Sequence, residues 1–111
     1  MSEKEVSDIA NPIMDNLMNA SAQIDHEKHV QDFTDRLKSI VTKEHLQKVC
    51  EAYQKEKGVF SERSLLFILR RPDSAIITWK QTFTKADGEY LAEMVLVNKK
   101  GKFLVDHTWV I

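Results

Sequence analysis

The chain has 111 residues, 42% hydrophobic and 30% charged, with 16 Lys plus Arg against 17 Asp plus Glu. That length fits one domain with a packed core, and a formal charge of -1 excludes broad electrostatic attraction to nucleic acid or an anionic membrane. A single cysteine, Cys50, excludes an intramolecular disulfide and a cysteine-based zinc site. The polar, mostly acidic start MSEKEVSD is unlike a secretory signal, and no apolar run is long enough to span a bilayer. The expected address is cytoplasmic, and no cofactor or metal is expected.

Residues 1–8 read as a disordered N-terminus and 9–111 as the single domain. In NPIMDNLMNASAQI, Asn11 is placed to cap a helix and Pro12 to occupy its first position, where the missing N–H is not needed. Ile13, Met14, Leu17, Met18, Ser21 and Ile24 follow at helical spacing. Asp25 is the expected cap of a second helix through HEKHVQDF. Val30, Phe33, Leu37 and Ile40 continue the period, with a break near Thr34. Thr42 caps a third helix whose face carries Leu46, Val49, Cys50 and Tyr53, and Gly58 stops it.

Beyond Gly58 the period changes to alternation. SLLFILRR, SAIITWKQTF, EYLAEMVLVN and KFLVDHTWVI are four strand candidates rich in β-branched and aromatic residues. The connectors RPDS, KADGEY and NKKGK carry turn chemistry. Helices followed by a meander predict an α+β fold, with the N-terminal helices on one face of a four-stranded antiparallel sheet.

This element order resembles the nuclear transport factor 2-like superfamily, also called cystatin-like or SnoaL-like. The resemblance rests on AQIDHEKHVQDFTDRLKSIVTKEHLQKV, GVFSERSLLFILRRPDSAIITWKQTF and AEMVLVNKKGKFLVDHTWVI, and covers nearly the whole chain. It implies a cone-shaped roll with a curved sheet, a pocket between the helices and the concave face, and often dimerisation through the sheet. It includes ketosteroid isomerase, scytalone dehydratase and polyketide cyclases as well as non-catalytic binding domains, so the fold does not by itself assign a function.

Reading ADG and KKG as three-residue hairpin loops pairs Lys85 with Glu89 and Asn98 with Lys102. The cross-strand rows are then Ile77–Val97–Phe103, Trp79–Val95–Val105, Gln81–Glu93–His107 and Phe83–Leu91–Trp109, all on the face under the helices. A one-residue slip would send a strand's side chains to the other face. Strand neighbours alternate, so Asp106 and His107 cannot form a side-by-side dyad. The polar row makes Glu93 and His107 the candidate acid–base pair of an isomerase, dehydratase or cyclase. Trp79, Gln81, Glu93, His107, Trp109 and Tyr53 are the candidate ligand-binding residues. The competing reading is a structural hydrogen-bonded cluster in a binding or interaction domain.

Other candidates are weaker. His26 and His29 in DHEKH fall one residue short of the H-E-x-x-H metal spacing and read as a solvated helix face. Cys50 reads as a small buried hydrophobe. Met14 and Met18 suit either an adaptable pocket wall or plain core. Arg70–Arg71 and NKKGK read as charged turns. On the uncovered sheet face, Ile76, Met94, Leu96, Leu104 and Val110 predict a homodimer, which Leu96→Asp is expected to dissociate without unfolding the subunit. The expected role is a dimeric domain that binds a small apolar ligand or a protein partner, with the enzyme as the alternative.

Overall fold

The computed structural model describes residues 1–111. Its helices are α1 (Glu3–Gln23), α2 (His26–His29), α3 (Asp35–Ile40) and α4 (Lys43–Lys57), and its strands are β1 (Phe60–Arg70), β2 (Ser74–Phe83), β3 (Tyr90–Lys99) and β4 (Lys102–Val110). The strands form one antiparallel meander, β1-β2-β3-β4. The α+β layout expected from the sequence is the one observed.

The first correction lies at the N-terminus. Residues 3–8 are not disordered but form the first turns of α1. Ser2 accepts from the Glu5 backbone N–H, and Glu5 reaches back to the Ser2 N–H, closing a capping box. Val6 is buried with Ala10, Met14 and Leu17 along one helical stripe, so these early turns belong to the core. Asn11 and Pro12 lie inside the helix rather than at its start. Pro12 costs the helix one hydrogen bond, and the Asn11 side-chain oxygen accepts instead from Trp79 Nε1 at 3.0 Å.

The later caps fall where the sequence places them. Asp25 and Thr42 accept from the backbone N–H groups of Lys28 and His45, opening α2 and α4; at Thr34, where the sequence showed only a break, the side chain accepts from the Leu37 N–H and opens a separate helix, α3. Gly58 ends α4 at φ +80°, where a Cβ would also collide with Thr84 Oγ1. This close approach lets Thr84 and Lys85 bond to Val59 and Lys57. The chain after β2 thus leaves the sheet toward the α4–β1 corner before returning as β3.

That detour changes the register. Gln81 pairs with Tyr90, Trp79 with Ala92 and Ile77 with Met94, instead of Glu93, Val95 and Val97. The next hairpin closes on Lys99 and Lys102, with Lys100 (φ 56°) and Gly101 (φ 87°) as a two-residue loop. Two consecutive positive φ values are the signature of the tight hairpin turn that matches strand twist. The first slip moves the β3 side chains to the opposite face from the one expected, and the second returns β4, as far as Val105, to its expected face.

A third irregularity sits in β4. Leu96 pairs with Val105, but Val95 pairs with His107, leaving Asp106 as the extra residue of a bulge. Its cause is on the other side of the strand. The Val105 N–H donates to Asp32 O and its carbonyl accepts from the Thr34 N–H. The Asp106 carboxylate accepts from Thr34 Oγ1 at 2.8 Å and Arg36 Nε at 3.1 Å. Burial pushes the Asp106 pKa upward, but the Thr34 and Arg36 contacts prevail and hold it below the usual carboxylate value. The bulge turns His107 and Trp109 outward, and it brings Thr108 and Val110 opposite Met94 and Ala92.

The covered face therefore carries Ala75, Ile77, Trp79, Ala92, Met94, Leu96 and Val105, packed against Val6, Ala10, Met14, Leu17, Phe33 and Leu37. Met94 and Leu96 are core residues, not interface residues, and partly buried Val110 packs against this core. The uncovered face carries Ile76, Leu91, Val95, Leu104, His107 and Trp109. Beside it, Leu66, Phe67 and Leu69 on the edge strand β1 are about half exposed, at 52%, 50% and 50%.

Candidate functional site

One face of α4 presents His45, Leu46, Val49, Cys50, Tyr53 and Lys57, a helical repeat that runs the length of the helix. Opposite it, α1 offers Met14, Leu17, Met18 and Ser21. Phe60 and Phe83 close one end, His29 and Val41 contribute from the connecting segments, and Thr108, Trp109 and Val110 complete the lining from β4. Together they line a cavity of about 230 Å³ that opens to solvent beside Val49, larger than the roughly 150 Å³ apolar cavity that holds a benzene ring.

The lining is mostly apolar, with a few placed polar groups. Ser21 Oγ lies 2.7 Å from Tyr53 Oη and 3.3 Å from Cys50 Sγ. Burial pushes both the Cys50 thiol and the Tyr53 phenol above their ordinary pKa values, so the site offers hydroxyls and a thiol rather than a thiolate nucleophile. The His29 ring packs edge-on to Phe33 with centroids 5.3 Å apart. Its Nδ1 is buried without a hydrogen-bond partner among the protein's groups. Burial first, and neighbouring His26 second, lower its pKa to about 4, keeping the ring neutral at pH 7. Lys57 Nζ sits 5.5 Å from the Phe83 ring centroid and 4.9 Å from that of Tyr90. No carboxylate lines the cavity.

Of the six candidate ligand-binding residues, Tyr53 and Trp109 line this cavity. Trp79 is packed into the core, with its Nε1 bonded to Asn11 and Arg63 5.3 Å from its ring. Gln81 is also buried and donates to the Glu62 and Thr82 carbonyls. The expected row Gln81–Glu93–His107 is not assembled, because Gln81 lies on the covered face and the other two on the uncovered one. Glu93 and His107 do meet: His107 Nε2 is 3.5 Å from Glu93 Oε1. They are diagonal neighbours outside the helical layer, with Trp109 edge-on to His107 at 5.3 Å. Asp106 and His107 take separate partners: α3 holds the bulge residue Asp106, while His107 meets Glu93.

His29, His45, Lys57, Phe60 and Phe83 were not among the sequence candidates for the site. For Lys57 a signal was present: it lies four residues beyond Tyr53 and continues the stripe from Leu46. His29 carried no such signal, because its burial comes from the fold around a single short turn. His26, its partner in DHEKH, bonds through Nε2 to Val41 O at 2.9 Å.

No family model matches the sequence, and no curated protein matches it. Among solved structures, the chain is similar to a variant of Rd1NTF2_05 at 16% identity and TM-score 0.66, covering 95% of this chain and 98% of that one. It is similar to an NTF2-like protein of unknown function from Pseudomonas putida KT2440 at 13% identity and TM-score 0.64, covering 99% and 88% of the two chains. A putative calcium/calmodulin dependent protein kinase II association domain from Xanthomonas campestris matches at 17% identity and TM-score 0.52, covering 99% and 86%. At these identities the likeness concerns the fold. Helices over one face of a four-stranded meander, overlapping these structures along nearly the entire chain, establish that this protein has the nuclear transport factor 2-like fold.

Proposed function

We propose that this is a small ligand-binding domain of the cytoplasm that takes an apolar molecule into the cavity between α1, α4 and the sheet, and that it works as a homodimer. The observation that carries the first part is the cavity itself, mostly apolar with a few convergent polar groups, the usual character of a small-molecule site. The isomerase, dehydratase or cyclase alternative required Glu93 and His107 to face the substrate. They meet on the other face of the sheet, which favours binding over proton transfer. No helix is long and apolar enough to cross a membrane.

Substituting Val49, which lines the cavity at 47% exposure, by Trp tests the binding reading. The indole fills the space from the solvent side, where it need not overpack the core. The expected result is a folded protein that no longer gains thermal stability from an added straight-chain alcohol, whereas the unsubstituted protein does. An equal gain in both proteins would contradict the assignment of the site.

For the dimer, support comes from the half-exposed Leu66, Phe67 and Leu69 and from Trp109 at 48% exposure. They lie on the two opposite edges of the sheet, β1 and β4, and exposed apolar side chains of this size favour association. Light scattering after size exclusion should give twice the chain mass, and Phe67→Asp should give a folded monomer. A monomer for the unsubstituted protein at micromolar concentration ends the dimer proposal.

A further inference from the structure

The cavity has a direction and a charge. From His45 to Lys57, α4 contributes lining residues over twelve positions, about 18 Å at the helical rise of 1.5 Å per residue. A volume of about 230 Å³ along that length is a slot suited to a single chain rather than to a fused ring system. Its wall is adaptable on the α1 side, because partly buried Met18 lines it in front of buried Met14 and unbranched thioethers repack around different occupants.

The two ends differ. At one stands Lys57, whose ammonium rests against the Phe83 and Tyr90 rings. It takes no part in the ion pairs of the chain, and no acidic side chain lines the cavity. Its backbone carbonyl accepts from the Lys85 N–H at 2.8 Å, which fixes the helix end and so the root of the side chain. At the other end stand Val41, His29 and His45, and burial holds His29 neutral.

We infer that the ligand is an amphipathic monoanion, a free carboxylic acid with an unbranched apolar chain, whose carboxylate meets Lys57 and whose tail runs between α1 and α4 toward Val49. The inference rests on the proposed ligand-binding reading and adds the chemical class. A single lysine matches one carboxylate charge. A phosphate, with more charge and more acceptor oxygens, calls for arginines or clustered backbone N–H groups, and none lines the slot. Each methylene that enters leaves water for an apolar wall.

Isothermal titration calorimetry with straight-chain acids from hexanoate to dodecanoate, each below its micelle concentration and each compared with the primary alcohol of equal length, tests this. The affinity of both series should rise about fourfold per methylene until the slot is full. At equal length the acid should bind about tenfold more tightly, the effect of one charge-assisted contact. Lys57→Met keeps the apolar stem, so it should bring the acids down to the affinity of the alcohols and leave the alcohols unchanged. Alcohols binding as tightly as acids, or an acid preference that survives Lys57→Met, overturns the carboxylate assignment while leaving the cavity as an apolar site. Binding of neither series overturns the ligand-binding reading and this inference with it.

Discussion

Leu96→Asp is expected to unfold the domain. Leu96 is 2% exposed, faces the helices, and lies between Ala75 on β2 and Val105 on β4. The substitution removes apolar packing, which alone costs about 2–5 kcal/mol for a large-to-small change in a core. It also leaves a carboxylate without a partner among apolar groups, at a further cost of several kcal/mol. The sum approaches the roughly 5–15 kcal/mol by which a domain is stable at all. Circular dichroism should show loss of structure and no cooperative melting transition. Val95→Asp, one residue away on the uncovered face, should retain the native spectrum. The opposite pair of outcomes would mean that β3 is flipped. The sequence-based expectation for Leu96 was dissociation of a dimer, and the register shift in the β2–β3 connection reverses it.

A second large effect is a loss of stability in mild acid, carried by His29. Its folded pKa is about 4, against 6.5 for the free group. Between those values the unfolded chain binds a proton that the folded one refuses, so stability rises with pH in that window. The contribution is complete above about pH 6.5, falls as pH drops toward 4, and is lost below both values. The separation corresponds to at most about 3 kcal/mol. Asp106 acts in a lower window: its folded pKa is depressed from 3.8, so its stabilisation is present above that value and disappears as pH falls further. Urea midpoints measured from pH 7 to pH 4 should therefore decline, and His29→Phe, which keeps a ring beside Phe33 but cannot titrate, should flatten most of that slope. An unchanged slope in His29→Phe would assign the acid sensitivity to other groups.

The parts of the fold legible in the sequence were those set by local chemistry. The Asp25 and Thr42 caps, the stop at Gly58 and the positions of the four strands depend on neighbours within a few residues, and all appear where the pattern puts them. The start of α1 was misplaced although its signal was present, because Ser2-x-x-Glu5 is a capping-box sequence. The Asn11-Pro12 pair gave a competing local signal that the buried stripe from Val6 to Leu17 overrides.

The register was not legible. In NKKGK, the choice between a two-residue and a three-residue loop depends on Lys100 accepting a positive φ, which its side chain does not announce. The Asp106 bulge depends on Asp32, Thr34 and Arg36, some seventy residues away and invisible to any count along β4. The proximity of Glu93 and His107 was anticipated for a register that does not exist. The β2–β3 slip carried Glu93 to the outer face, the bulge carried His107 there as well, and the two met on the wrong side for the chemistry assigned to them. Lys57 was within reach of the helical period, but its role needed the knowledge that no carboxylate shares the cavity.

The protein's methionines test the central claim, that the slot between α1 and α4 is the binding site, most directly. The chain has four, Met1, Met14, Met18 and Met94, and Met14 and Met18 line the cavity. Each ε-methyl group gives its own NMR resonance. Titration with decanoate should shift the Met14 and Met18 methyl signals in a saturable manner, together with the Val49 and Lys57 amides, and should leave Met1 and the amides of Glu93 and His107 in place. Saturable shifts centred on Glu93 and His107, with Met14 and Met18 unmoved, would contradict the account and return the site to the uncovered face of the sheet.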